Sequence, residues 1–144
     1  MIAVGKHIIV DMRRCPRKIL DDVNVIEKSL LGAASYANAT VIDYSFRKFH
    51  PQGVSGIVII AESHISIHTW PEYGYAAVDV FTCGSADASR AVEYIVKALK
   101  SKEHYILDLK RGVLTYNEMK IVNNQKQNSK SEKVSEHEKM QVLL

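Results

Sequence analysis

The feature that most constrains the fold is a run of three strand-like segments joined by very short connections. Val54–Ala61 is apolar almost throughout, and His64–Trp70 and Tyr75–Thr82 are rich in β-branched and aromatic residues. Parallel neighbours need a crossover of a dozen or more residues, which these connections do not provide. The segments are therefore expected to form an antiparallel sheet. Gly56, inside the first of them, indicates a close backbone approach or a bulge.

Two segments have the three- and four-residue apolar spacing of helices that bury one face. The first begins near Asp22, with Asn24 as a start signal, and ends at Asn38. The second covers Ser85–Lys100, with Ser85 as its N-terminal cap.

Three further strand-like segments complete the pattern, namely His7–Met12, Thr40–Phe46 and His104–Lys110. The order β-α-β-β-β-β-α-β predicts an α+β two-layer sandwich, with a mainly antiparallel sheet and two helices on one face. The other face of the sheet then needs a partner, and packing on a second copy would cover it. The pattern therefore favours a dimer.

Composition excludes several classes of protein. The 144 residues carry a net charge of only +3, so there is no concentrated basic character to suggest nucleic acid or a membrane surface. No apolar run approaches the ~20 residues of a spanning helix, and the start lacks the order of a secretory signal. We expect a cytoplasmic chain in which Cys15 and Cys83 are thiols. Residues 113–144 are polar and are expected to form a disordered tail.

Reactive side chains are concentrated in "ESHISIHTW", residues 62–70. A hydrolase nucleophile at Ser63 lacks the G-x-S-x-G signature, although a Ser-His-acid triad stays open because its members need not be adjacent. His64 and His68 would share one face of a strand but lie about 13 Å apart at ~3.3 Å per residue, too far for one ion. No metal is therefore expected.

A third interpretation concerns the peptide bond between Glu62 and Ser63. The Ser63 hydroxyl attacks the Glu62 carbonyl and converts the amide into an ester, and loss of the Ser63 α-proton then expels the Glu62 carboxylate. The remaining dehydroalanine hydrolyses to a pyruvoyl group. This chemistry needs a distorted peptide, donors for the developing oxyanion and a base near the α-carbon. His68 is a candidate base and Ser55 a candidate donor.

Three stretches carry a resemblance to a known family: "GKH" (Gly5–His7), "GVSG" (Gly53–Gly56) and "ESHISIHTWPEYGYAAVDVFTCG" (Glu62–Gly84). They closely resemble the prokaryotic S-adenosylmethionine decarboxylase proenzymes. The resemblance covers roughly residues 4–112 and is carried mainly by the long middle stretch.

The resemblance implies a role for each of five residues. Ser63 becomes the pyruvoyl group that forms a Schiff base with the substrate, and the chain is cut between Glu62 and Ser63. His68 matches the proton acceptor of self-processing, Ser55 a serine that assists it, and Cys83 the proton donor of decarboxylation.

The resemblance also implies the organisation of the mature protein. Residues 1–112 form the decarboxylase domain, with a β chain of residues 1–62 and an α chain that starts at residue 63. The pyruvoyl group replaces pyridoxal phosphate, and no metal takes part. Active sites that combine residues of two protomers imply a homo-oligomer of αβ pairs, expected as (αβ)2.

The substrate implied by the resemblance is S-adenosylmethionine, and its decarboxylated product is the aminopropyl donor for spermidine. Adenine needs an aromatic surface and ribose a carboxylate, which Phe49, Trp70, Glu72 and Tyr75 are candidates to provide. Two alternatives stay open from sequence. One is a pyruvoyl-dependent arginine decarboxylase of the same family, and the other is a non-catalytic α/β binding module.

Overall fold

The structure, a computed structural model, describes residues 2–121. Within them the elements are β1 (Ala3–Arg13), α1 (Arg17–Leu20), α2 (Val23–Tyr36), β2 (Val41–Lys48), β3 (Val54–Ile60), β4 (Ser63–Trp70), a 3-10 turn (Pro71–Tyr73), β5 (Tyr75–Cys83), α3 (Ala88–Ala98) and β6 (Glu103–Val113). Residues 4–112 form one compact unit. In the other unit Leu114 donates a backbone hydrogen bond to Ile2 (2.9 Å), and residues 116–121 are helical. The predicted tail lies largely outside the described residues.

The strands form one six-stranded sheet in the order β2-β3-β4-β5-β1-β6. β3, β4 and β5 pair antiparallel as consecutive neighbours, and β2 and β1 pair antiparallel on either side of them. The α+β class and the antiparallel sheet are confirmed. The element order differs from the prediction by α1, which follows the Pro16 loop. Four residues are too few to produce a periodic apolar pattern, so this helix has no signal in the sequence.

One face of the sheet and the two longer helices enclose the core. Alternate strand residues point to this face, and their partners come from α2 and α3: Val54, Val58, Ile60, Ile65, Ile67, Val78, Val80, Ile26, Leu30, Ala33, Ala34, Ala91 and Ile95. α2 packs on β2, β3 and β4, whereas α3 packs on β5 and on α2. The expected two-layer arrangement is therefore present.

The opposite face, called the open face below, carries the remaining residues of the central strands. From β4 it presents His64, Ser66, His68 and Trp70, which pair with Phe81, Asp79, Ala77 and Tyr75 of β5. From β3 it presents Ser55, Ile57 and Ile59. Ile57 and Ile59 are 38% and 44% exposed, so no described part of the chain covers these apolar side chains.

Gly56 allows a close approach from the neighbouring strand. A Cβ atom at this position would lie 2.0 Å from the Phe46 ring, which packs directly on the glycine. The sequence predicts a close backbone approach or a bulge at this glycine, whereas the group that approaches is a side chain of β2.

α2 begins at Val23, close to the predicted start near Asp22, but the cap residues of both long helices differ from the predicted ones. Asp22 caps α2 by accepting from the backbone N–H groups of Asn24 and Val25, and Asp87 caps α3 by accepting from Ser89 and Arg90. The predicted caps Asn24 and Ser85 have no such role. Aspartate is as good a cap as serine or asparagine, so the apolar spacing alone does not distinguish each cap from another polar residue two positions away.

The caps give a direct test of these boundaries. Asp87→Ala should lower the free energy of unfolding by about 1 kcal/mol, because it leaves N–H groups of the first turn of α3 without an acceptor. Ser85→Ala is the matched control and should change it by less than about 0.5 kcal/mol. Urea denaturation followed by circular dichroism measures both. Equal losses for the two variants would contradict the assigned cap.

Candidate active site

The peptide between Glu62 and Ser63 lies in the tight turn from β3 to β4. Ser63 has a φ of 148°, a backbone conformation that favours glycine and strains a serine. The turn is held in place by Thr40, whose carbonyl accepts from the Ala61 N–H (2.8 Å) and whose own N–H donates to the Glu62 carboxylate (3.1 Å). The distortion is therefore fixed by contacts on the amino-terminal side of the peptide.

The carbonyl oxygen of Glu62 has a donor of its own. It accepts a hydrogen bond of 3.0 Å from the backbone N–H of Cys83, at the end of β5. An N–H group in this position stabilises negative charge on the oxygen when the carbonyl carbon is attacked. The Cys83 thiol is free and partly buried, and it belongs to a residue that already contacts the strained turn.

Ser55 and His68 form a second group of polar residues on the open face. Ser55 Oγ and His68 Nδ1 are hydrogen-bonded at 2.7 Å across paired positions of β3 and β4. Two pockets meet at this pair. One, of about 410 Å³, also includes Arg47 and Ser66, and the other, of about 260 Å³, includes Phe49, Trp70 and Glu72.

Aromatic side chains form one wall beside His68. The Trp70 and Tyr75 rings are stacked, with centroids 5.2 Å apart and planes inclined by 24°. The Tyr75 hydroxyl donates to the Asp11 carboxylate (2.7 Å), and this hydrogen bond, with some burial, raises the pKa of Tyr75 above its ordinary value. Phe49 is half exposed, so its ring is free to contact a ligand.

The short helix α1 leads to a contact that fixes the loop carrying Phe49. The Asp21 carboxylate, directly after α1, accepts from the Lys48 ammonium and from the Gly53 N–H (2.9 Å). The hydrogen bond from Lys48 is the main reason that the pKa of Asp21 is lowered. The unpredicted helix therefore has a structural role next to the second pocket.

The residues predicted to act together fall into two separate groups. Ser63 and His68 are five positions apart on β4, which at ~3.3 Å per residue places them about 16 Å apart. Glu62 and Cys83 lie at the Ser63 end, whereas Ser55 and the predicted substrate-binding residues lie at the His68 end. Within one protomer they do not form a single site.

His64 is a neighbour of Ser63 to which sequence reasoning gave no function. Its Nδ1 atom lies 3.3 Å from Ser63 Oγ. Only the turn geometry reveals this contact, because adjacent residues of a regular strand point to opposite faces. In residues 2–121 no three His, Cys, Asp or Glu side chains are grouped to hold a metal ion, and no helix of that part is long and apolar enough to cross a bilayer.

A two-layer α+β chain with a strained acid–serine turn, and a backbone donor on the carbonyl of that turn, has the features of a self-cleaving proenzyme. The family model described as S-adenosylmethionine decarboxylase matches residues 6–112. The chain therefore belongs to the S-adenosylmethionine decarboxylase family.

Individual relatives agree with this assignment. An S-adenosylmethionine decarboxylase proenzyme of Thermosipho melanesiensis is 49% identical over 125 residues, or 86% of this chain and 95% of the relative. One of Thermodesulfovibrio yellowstonii is 45% identical and covers 84% and 90% of the two chains. The crystal structure of the adenosylmethionine decarboxylase from Aquifex aeolicus is 41% identical, with a TM-score of 0.75, and covers 81% of this chain and 97% of that one.

The contact between Tyr75 and Asp11 predicts a measurable change in titration. Asp11→Asn should lower the pKa of Tyr75, because the neutral amide no longer stabilises the protonated phenol. Carbon-13 NMR of labelled tyrosine follows each phenol separately. Tyr105, whose pKa is raised by a hydrogen bond to Glu103, is the internal control and should not move. An unchanged pKa for Tyr75 would be evidence against the Asp11 contact.

Proposed function

We propose that this chain cuts its own backbone between Glu62 and Ser63 and then decarboxylates S-adenosylmethionine with the ketone that the cut produces. The observation that carries the proposal is the strained Ser63 peptide, whose carbonyl already accepts a hydrogen bond from Cys83. Membership of the decarboxylase family, with relatives named as proenzymes, supports both parts.

The cut proceeds through two changes of bonding. Ser63 Oγ attacks the Glu62 carbonyl carbon, the C–N bond breaks, and an ester with a free amine replaces the amide. Removal of the Ser63 α-proton then breaks the C–O bond and releases the Glu62 carboxylate. Hydrolysis of the resulting dehydroalanine gives ammonia and the pyruvoyl group. The cut relieves the backbone strain at Ser63, which favours the forward direction.

The residues around the turn fit the formation of a pyruvoyl group at position 63, because they already hold the Glu62 carbonyl and the Ser63 hydroxyl whose reaction begins it. When formed, this group would supply a ketone for the substrate's α-amino group and an acceptor for the electron pair left by carbon dioxide, the chemistry that pyridoxal phosphate supplies in other enzymes. Cys83 is proposed as the acid that protonates the substrate's α-carbon, because its backbone contacts the turn and its thiol is free.

The two separated groups of residues support a site shared between two protomers. A base is needed near the Ser63 α-carbon, but the proposed base His68 is about 16 Å away along the same strand. The open face also exposes Ile57 and Ile59, which a second copy would bury. We therefore assign the active protein as a dimer of αβ pairs with facing sheets.

Symmetry determines how the protomers would face each other. A two-fold axis between the two open faces, running across the strands, reverses the direction of β4 in the second copy. The Ser63 end of one protomer then faces the Ser55–His68 pair of the other. Sheets that stack face to face lie ~10 Å apart, a gap that side chains span. Each dimer would contain two complete sites.

The second pocket is proposed to hold the nucleoside part of the substrate. Phe49 offers a free ring for the adenine, and the stacked pair of Trp70 and Tyr75 forms the neighbouring wall. Glu72 is exposed beside the pocket and would accept from the ribose hydroxyls. None of the comparisons favours arginine as the substrate or a non-catalytic module.

Self-cleavage is tested by intact mass. Wild-type protein should give two fragments that separate before residue 63, and Ser63→Ala should stay whole and release no carbon dioxide from S-adenosylmethionine. Cys83→Ala is the matched control. It keeps the backbone N–H and should still split, but should decarboxylate at least about 10²-fold more slowly. An active, uncut Ser63→Ala protein, or faster release from arginine than from S-adenosylmethionine, would contradict the proposal.

The shared site is tested by complementation. Ser63→Ala and His68→Ala chains should each stay whole when expressed alone. In a mixed dimer, Ser63 of one chain meets the intact His68 of the other, so the His68→Ala chain should be cut. Because random pairing makes half of the dimers mixed, up to about a quarter of all chains should split. Different affinity tags identify the cut chain by mass. Full cutting of His68→Ala alone would rule out this role of His68.

A further inference from the structure

The hydroxyl group of Ser63 already contacts an imidazole of its own protomer. Ser63 Oγ lies 3.3 Å from His64 Nδ1, in a partly buried part of the open face. Attack on the Glu62 carbonyl requires the hydroxyl proton to be accepted as the new bond forms. His68 lies at the other end of β4, so within residues 2–121 of one protomer His64 is the imidazole that contacts the attacking atom.

The orientation of His64 is fixed by a row of rings across three strands. His64, Phe81 and His7 occupy paired positions of β4, β5 and β1. The His64 ring meets Phe81 edge to face, with centroids 5.9 Å apart and planes at 75°, and Phe81 lies 5.3 Å from His7. Gly5 makes room for this row, because a Cβ atom there would lie 2.6 Å from the Phe81 ring.

The far end of the row is held by charged groups. The His7 Nε2 atom lies 3.2 Å from the Asp79 carboxylate, and Arg111 lies 3.1 Å from His7 Nδ1. An arginine side chain only donates hydrogen bonds, so His7 Nδ1 accepts the one from Arg111. The ring proton of His7 is therefore on Nε2, which donates to the Asp79 carboxylate. Arg111 also lies 5.2 Å above the Phe81 ring. His64 is thus packed against an ordered cluster rather than free to rotate.

We infer that His64 is the base that takes the hydroxyl proton of Ser63 in the first step of self-cleavage, an inference that rests on the proposed function. With its own proton on Nε2, His64 accepts the Ser63 proton at Nδ1 while Oγ bonds to the Glu62 carbonyl carbon. The N–H of Cys83 stabilises the negative charge on the oxygen. The Glu62–Ser63 C–N bond then breaks, and the proton passes from Nδ1 to the departing amine. The imidazole ends as it began.

This assignment separates the work of two histidines. His64, from the same chain, acts before the ester exists, whereas the partner's His68 removes the α-proton from the ester. Loss of His64 should therefore leave an amide at position 62–63, and loss of His68 should leave an ester. Hydroxylamine cleaves esters and spares amides under mild conditions, so it distinguishes the two states.

The main variant is His64→Asn, because an asparagine oxygen replaces the hydrogen-bond acceptor at the Nδ1 position but does not take up the proton. Cell-free synthesis followed by denaturing electrophoresis gives the rate of cutting. His64→Asn should be cut at least about 10²-fold more slowly than wild type. Its uncut chain should resist hydroxylamine, whereas uncut His68→Ala should be split by it. His104→Asn, at an exposed histidine of β6, is the matched control and should be cut at the wild-type rate.

A second test compares Ser63→Cys with the double variant Ser63→Cys/His64→Asn. The attacking group of both has little need of a base, and the conclusion does not depend on whether one variant folds. Ser63→Cys carries a thiol, which ionises far more readily than a hydroxyl. Adding His64→Asn to Ser63→Cys should slow its cutting by less than about tenfold, against the ~10²-fold effect expected in the serine chain. His64→Ala should recover part of its rate in added imidazole.

Three outcomes would overturn the inference while leaving the proposed function intact. They are cutting of His64→Asn at the wild-type rate, a hydroxylamine-sensitive ester in His64→Asn, and an equal effect of His64→Asn in the serine and cysteine chains. The last would mean that His64 only supports the turn. Failure of wild-type protein to cut at all would instead overturn the proposed function.

Discussion

The geometry of the site depends on one hydrogen bond, between the Cys83 N–H and the Glu62 carbonyl. It joins the end of β5 to a turn between two other strands, so the sheet as a whole holds the strained peptide in position. Thr40 holds the other side of the turn through its carbonyl and its N–H. A serine with a φ of 148° is stable here because the surrounding antiparallel strands determine where both of its neighbours lie.

The same sheet separates two sets of polar groups that the chemistry needs together. The helix-covered face is filled by aliphatic side chains, whereas the open face carries the imidazole, hydroxyl and aromatic groups. A strand of eight residues is long enough to keep His68 well away from Ser63. The fold therefore makes the open face both the chemical surface and the surface on which a second copy is proposed to pack.

Much of the fold was predictable from apolar spacing and short connections. The three segments between residues 54 and 82 required an antiparallel sheet, and both long helices were recognised by their buried stripes. The sequence does not reveal the caps Asp22 and Asp87 or the short helix α1. These features depend on local hydrogen bonds, which leave no periodic pattern. The sequence indicates that Gly56 has a special position, but the approach of the Phe46 side chain depends on the pairing of β2 with β3, which the sequence does not specify.

The residues and contacts of the candidate site are harder to predict from the sequence than the fold is. Chemistry alone makes Ser63 and His68 candidates, but the family resemblance raises them, with Cys83, above ordinary residues, since each of these residue types is common in strands and cores. The contacts of His64 with Ser63 and of Tyr75 with Asp11 had no signal in the sequence. Both arise from a distorted turn or from the pairing of strands distant in sequence, which fix side-chain positions only after folding.

The position of the scissile peptide in a turn also affects the proposed mature protein. Residues 1–62 contain β1, β2 and β3, and the later residues contain β4, β5 and β6, yet β3 pairs with β4 and β1 pairs with β5. Opening the turn affects only the last pair, Ile60 with Ser63, and leaves the other pairs of β3 with β4 in place, so the two pieces remain interleaved in one sheet. Unfolding of the cut protein becomes a dissociation, so its midpoint should rise with protein concentration by mass action.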